Sequence, residues 1–116
     1  RVEVTSRPPA LLAELARVEE LWSEGLKRFG GPFLASHDFT AVDAFFCPVA
    51  FRFQTYGVTV SGAAHEYWQR LLALPAMKEW EAAALKEDFR DAGHEAELAE
   101  AGTVVKDLRA ADLQRR

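Results

Sequence analysis

Hydrophobic residues return every three or four positions through most of the chain, which is the period of an α-helix. The first such segment follows Pro8 and Pro9, which suit a first helical turn because its N–H groups need no partner within the helix. It ends at residues 30–32, a Gly-Gly-Pro sequence typical of a helix terminus. Its predicted buried stripe is Leu11, Leu15, Val18, Trp22, Leu26 and Phe29.

The segment from Thr40 to Tyr56 predicts a second helix that is apolar on nearly every side. A helix of this kind is expected to be enclosed by other helices. Gly57 is expected to close it. Pro48, within the helix, removes one backbone hydrogen bond and should bend the segment.

Thr40 and Asp43 have the spacing of an N-terminal capping box, with Asp in place of the more usual Glu or Gln. In this arrangement the Thr40 hydroxyl accepts the Asp43 N–H, and the Asp43 carboxylate accepts the Thr40 N–H. Such a cap contributes about 0.5–2 kcal/mol. A hydroxyl beside a carboxylate could also suggest catalysis, but the cap explains both residues, so we prefer the structural interpretation.

Three further helices are predicted. One follows Ser61, with Ala64, Tyr67, Trp68, Leu71, Leu72 and Leu74 pointing inward, and the next begins at Pro75. That fourth helix has Met77, Trp80, Ala84 and Phe89 on one face. A last amphipathic helix is expected from His94 to Leu108. Apart from residues 58–60 no strand-like alternation competes, so the predicted fold is all-α, a bundle of about five helices.

Composition limits the class of protein. The chain has 116 residues, a net charge of −4 and a pI near 5.4, so nucleic-acid binding is not expected, because phosphate contacts need a clustered basic face. No apolar run reaches the ~20 residues that cross a bilayer, and no membrane partner is expected. With one cysteine and no signal-peptide pattern, a cytoplasmic location is predicted.

Residues 31–58, GPFLASHDFTAVDAFFCPVAFRFQTYGV, resemble the C-terminal helical domain of cytosolic glutathione S-transferases around the start of its sixth helix. LLALPAMKEW, at 71–80, is similar to the junction of the family's seventh and eighth helices. GHEAELAEAG, at 93–102, is similar to the tails of bacterial members. The resemblance covers roughly residues 8–90 and is nearest to the bacterial zeta-like branch.

The resemblance implies a domain division. Residues 1–90 would form the helical domain, and 91–116 a C-terminal helical extension packed on it. The family's thioredoxin-like domain, which binds glutathione and supplies the catalytic residue, is expected to lie outside this chain, as is the first helix of the helical domain. The chain alone is therefore not expected to bind glutathione or conjugate it. Implied partners are that N-terminal domain, a second copy in a homodimer, and a hydrophobic electrophile.

The resemblance also indicates candidate substrate-binding residues in the second helix: Phe46, Arg52, Thr55 and Tyr56. In the zeta class an arginine near the end of this helix engages the substrate carboxylate. The matching position is Thr55, which argues against maleylacetoacetate isomerase activity. Arg52 lies one turn earlier on nearly the same face and could substitute, although a structural ion pair is the preferred interpretation. Phe46 and Tyr56 could line the hydrophobic pocket or belong to the core.

Other reactive side chains favour structural roles. Cys47 lies mid-helix among aromatic residues, where burial raises a thiol pKa, so packing is preferred to nucleophilic chemistry. His37, His65 and His94 lack metal-ligand spacing, and no metal site is predicted. Trp22, Trp68 and Trp80 are expected in the core.

Two further functions stay open. Helical domains like this one also serve as non-catalytic protein-interaction modules, and a free-standing helical protein could reuse the fold.

Overall fold

The computed structural model describes residues 1–109 and is built mainly of helices. They are α1 (Pro9–Phe29), α2 (Ala41–Tyr56), α3 (Gly62–Ala73), α4 (Pro75–Lys86) and α5 (Ala92–Ala101), with two short strands, β1 (Val2–Val4) and β2 (Gly102–Val104). None of these helices is long and apolar enough to span a membrane.

α1 and α2 each end at a glycine whose backbone adopts the left-handed conformation. Gly30 after α1 and Gly57 after α2 have φ values of 80° and 60°, in the left-handed region that favours glycine. Within α1, a Cβ at Gly25 would lie 2.8 Å from the Leu34 carbonyl oxygen. The absence of that Cβ lets the connector between α1 and α2 lie directly on α1.

The core forms where α3 packs against both α1 and α2. Trp22 of α1 is fully buried, and its ring centroid lies 5.1–5.3 Å from those of Phe46, Phe53 and Tyr67. Edge-to-face and tilted pairs at these distances are favourable for aromatic rings. Of the inward positions predicted around α3, Ala64, Tyr67, Trp68 and Leu71 are buried, while Leu72 and Leu74 are half-buried against the core.

The last predicted helix is too long. It ends at Ala101, and the chain continues as β2, which pairs antiparallel with β1 in the register Val2↔Val104 and Val4↔Gly102. Val105 and Leu108 keep helical spacing in the sequence. The β-branched residues after Gly102 are instead extended, because they pair with β1 at the start of the chain. A two-stranded ribbon therefore joins the segment before α1 to the segment after α5, while residues 58–60 are not a strand.

The expected enclosure of α2 is also incomplete. Its Asp43, Cys47, Ala50 and Phe53 side is buried, but Phe45 on the opposite side is 82% exposed. No helix within residues 1–109 covers that face.

The prediction that Trp80 belongs to the core is wrong. The side chain is 51% exposed, and its ring meets that of Phe51 edge to face at a centroid distance of 5.3 Å.

Candidate ligand-binding site

The start of α2 is held by a fully buried carboxylate. Thr40 and Asp43 form the capping box, with both reciprocal contacts present. Asp43 Oδ2 accepts the Thr40 N–H at 2.8 Å and the Thr40 hydroxyl at 3.2 Å. Asp43 Oδ1 accepts the Leu34 N–H at 3.1 Å and the Tyr67 hydroxyl at 2.8 Å. One side chain thus joins the connector, α2 and α3.

This buried charge affects two neighbouring groups. Burial raises the pKa of Tyr67 far above its usual value, and the hydrogen bond to Asp43 raises it further. Burial also raises the pKa of the Cys47 thiol, and the Asp43 charge adds to the effect. Both groups stay protonated at neutral pH. Cys47 is therefore a packing residue of the fold and is not poised as a nucleophile.

The other end of α2 is open to solvent and is where cavities gather. Tyr56 lines three of them. The carbonyl groups there are capped by Arg7, whose guanidinium donates to the Tyr56 and Gly57 carbonyls at 3.3 and 3.2 Å. Sequence reasoning missed Arg7. The available signal was the absence of a basic residue from the last turn of α2, which leaves its carbonyls in need of a donor.

The largest of the three cavities, about 660 Å³, lies between α2 and α5. We call it the Arg52 cavity. Its apolar walls come from Tyr56, Phe89, Leu98 and Ala101, and several charged side chains complete it. Its volume is within the range of small-molecule sites, roughly 300–1,000 Å³.

Most charged groups of the Arg52 cavity are already paired. Arg90 binds Glu95 at 3.1 Å and Asp107 at 2.8 Å, and the hydrogen bond to Asp107 is the main cause of its raised pKa. Arg109 donates to the Phe89 carbonyl at 2.9 Å and also to the Glu87 carbonyl.

Asp91, also in this cavity, caps α5. Its carboxylate accepts the His94 N–H at 3.0 Å, which lowers the pKa of Asp91.

Arg52 differs from these groups. It is exposed on α2, and no hydrogen bond or ion pair joins it to another residue of 1–109. The structural ion pair that we preferred from the sequence is therefore not found in the described part of the chain. A cation without a partner, beside the phenol of Tyr56, can bind an anionic group.

The four substrate-binding candidates do not form one site. Arg52 and Tyr56 meet in the Arg52 cavity. Thr55 lines a different cavity with Tyr56, about 560 Å³, on the side of the ribbon. Phe46 lines neither, and instead packs against Trp22 at 5.3 Å.

The three histidines, His37, His65 and His94, are exposed. Within residues 1–109 no cluster of three or more His, Cys, Asp or Glu side chains could hold a metal ion.

In comparisons with known proteins, no family model, curated protein or solved structure matches the chain.

Proposed function

We propose that this chain is the helical, electrophile-binding part of a cytosolic bacterial glutathione transferase. Two features support the proposal. The first is the resemblance of residues 31–58 to the family, together with a capping box whose carboxylate is buried at the start of the central helix. The second, which carries the functional argument, is the unpartnered Arg52 in a cavity with the apolar side chains of Tyr56 and Phe89.

In the proposed reaction the chain positions the electrophile and does not activate the thiol. The walls formed by Tyr56, Phe89 and Leu98 would remove water from an apolar body, and Arg52 would pair with a carboxylate or similar anion on it. Holding the electrophile in one orientation lowers the entropic barrier to attack. The glutathione sulfur would attack the electrophilic carbon, forming a thioether as the leaving group departs with the bond electrons.

The rest of the machinery belongs to the proposed parent protein. A thioredoxin-like domain would bind glutathione as co-substrate and stabilise its thiolate, and the parent would act as a homodimer. Cys47 cannot replace that thiolate, because burial raises its pKa.

Ligand binding tests the role of Arg52 in this chain directly. The probes are 1-naphthoate and its neutral counterpart 1-naphthalenemethanol, measured by calorimetry at pH 7. We expect Arg52→Gln to weaken 1-naphthoate binding roughly two- to fivefold, as for a solvent-exposed ion pair, and to leave the alcohol unchanged. Arg28→Gln, at the exposed end of α1, is the control. Equal loss for both probes, or no loss for the anion, would contradict this role.

The transferase assignment itself is tested on the intact protein from its source, detected with an antibody to this chain. A mass near twice 12.9 kDa and glutathione binding at millimolar concentration are expected. A two-domain parent that binds no glutathione would overturn the proposal.

A second candidate function is a non-catalytic, transferase-like protein-interaction module. The uncovered face of α2 around Phe45 favours it, as does an adjacent groove of about 470 Å³ between α2 and α4. The groove is lined only by apolar or sulfur-containing residues, Phe39, Ala44, Cys47, Leu74, Pro75, Ala76, Met77 and Trp80. Apolar patches of this kind mark contact surfaces. A native mass of 12.9 kDa would favour this module over the transferase.

A further inference from the structure

A separate cavity lies on the other side of Tyr56, between the start of α1, the ribbon and the end of α5. Its volume is about 490 Å³, and we call it the Glu100 cavity. Its apolar lining is aliphatic and comes from Val4, Leu11, Leu15, Val58 and Ala101. Side chains from four separate parts of the chain therefore enclose a space of the size that small-molecule sites have.

The charges of the Glu100 cavity differ from those of the Arg52 cavity. Arg7 lines it, but its guanidinium is occupied by the Tyr56 and Gly57 carbonyls at the end of α2. Glu100 has no ion pair or hydrogen bond with another residue of 1–109. The negative group available to a ligand is thus the Glu100 carboxylate on α5.

An anionic ligand would be repelled by Glu100, whereas a protonated amine would pair with it. Arg7 fixes a positive charge at the α2 end, so the ammonium belongs at the α5 end, and the ligand body lies on Leu11, Leu15 and Val58. We infer that the Glu100 cavity binds a small primary amine with a compact apolar body, such as an arylalkylamine. This site is independent of the proposed transferase function, because it uses a different charged side chain, a different cavity and the opposite ligand charge.

The test compares 1-naphthylmethylamine, which is protonated at pH 7, with the neutral 1-naphthalenemethanol on the full chain. We expect the amine to bind more tightly. Glu100→Gln should weaken amine binding roughly two- to fivefold and leave the alcohol unchanged, as for a partly solvated ion pair. Glu97→Gln is the matched control, since Glu97 lies one turn earlier on α5 and lines the Arg52 cavity instead.

A second variant locates the ligand body. Leu11→Trp fills the Glu100 cavity and should weaken both probes at least fivefold. Leu12→Trp is the control, because Leu12 is exposed on α1 and does not line the cavity. Circular dichroism establishes that both variants fold.

Three outcomes would overturn the inference: equal binding of amine and alcohol by the wild-type chain, no change in their ratio in Glu100→Gln, or unchanged binding in Leu11→Trp. Failure here leaves the 1-naphthoate result at Arg52 untouched, so the two proposals fail separately.

Discussion

The Arg52 and Glu100 cavities share a wall and differ in charge. Both are built against Tyr56 at the end of α2, and both take apolar side chains from α5. In the Arg52 cavity Arg52 and Glu97 have no partner among residues 1–109, while the other acidic groups and arginines are engaged with one another or with the backbone. In the Glu100 cavity the arginine is engaged and an anion is left over. Apolar walls supply binding energy to an anionic or a cationic ligand alike, whereas the unpaired side chain determines which sign of charge the ligand carries.

Both cavities depend on the placement of α2. The largest effect on stability is therefore expected from substituting Asp43, whose carboxylate holds the start of this helix. Asp43→Ala would leave the Leu34 N–H, the Thr40 N–H and the Tyr67 hydroxyl without their buried acceptor. We expect a loss of about 3–5 kcal/mol in the free energy of unfolding, measured by urea denaturation. This is a large share of the ~5–15 kcal/mol that stabilises a typical domain.

Asp38→Ala is the matched control for this change, because Asp38 is an exposed carboxylate in the same connector. It should change the free energy of unfolding by less than about 0.5 kcal/mol. In Asp43→Ala, naphthoate and naphthylmethylamine binding should decline together. A variant that lost one probe and kept the other would show that the two cavities do not share this anchor.

Substituting Tyr67 should have the next largest effect on stability, and it should also change how stability depends on pH. Its raised pKa means that the unfolded chain releases the phenolic proton first, at about pH 10. In that window the folded state holds more protons, so stability falls as pH rises. We expect the stability of the wild-type chain to decline above about pH 10, and the decline to be smaller in Tyr67→Phe.

At neutral pH the same variant should lose about 1.5–3 kcal/mol, because the buried Asp43 carboxylate loses a donor. Tyr56→Phe is the control, as Tyr56 lies at the cavity walls and not beside Asp43. If the stability of Tyr67→Phe and of the wild type fell equally at alkaline pH, the attribution of this loss to Tyr67 would be contradicted. Urea titrations between pH 7 and 11 measure it.

Local patterns predicted the helices better than the sites. The bounds of α2 followed from Thr40, Asp43 and Gly57, because caps act within a few residues of the chain. The same sequence did not reveal that Asp43 also binds Leu34 and Tyr67, since the latter lies 24 residues away. Short-range spacing carries no information about which distant donors meet a buried carboxylate.

The features that shape the cavities depend on contacts between residues that lie still farther apart in the sequence. Arg7 reaches carbonyls 49 and 50 residues away, and the ribbon pairs Val2 with Val104. Helical spacing at Val105 even favoured the wrong structure for that segment. The sequence showed that Arg52 is unusual, because its neighbours are apolar. Whether an acidic residue pairs with it could be decided only from the fold.

The smallest expected effect tests the comparison most directly. Arg52→Glu places a carboxylate in the Arg52 cavity, beside the apolar walls supplied by Tyr56 and Phe89. If unpaired charge selects the ligand, 1-naphthoate binding should fall severalfold, and 1-naphthylmethylamine should bind at two sites instead of one. Calorimetric stoichiometry measures the second site, and in the double variant with Glu100→Gln the original site should weaken roughly two- to fivefold while the new site is unchanged. A stoichiometry that stays at one, with naphthoate affinity unchanged, would mean that the apolar walls and not the charges distinguish the two cavities.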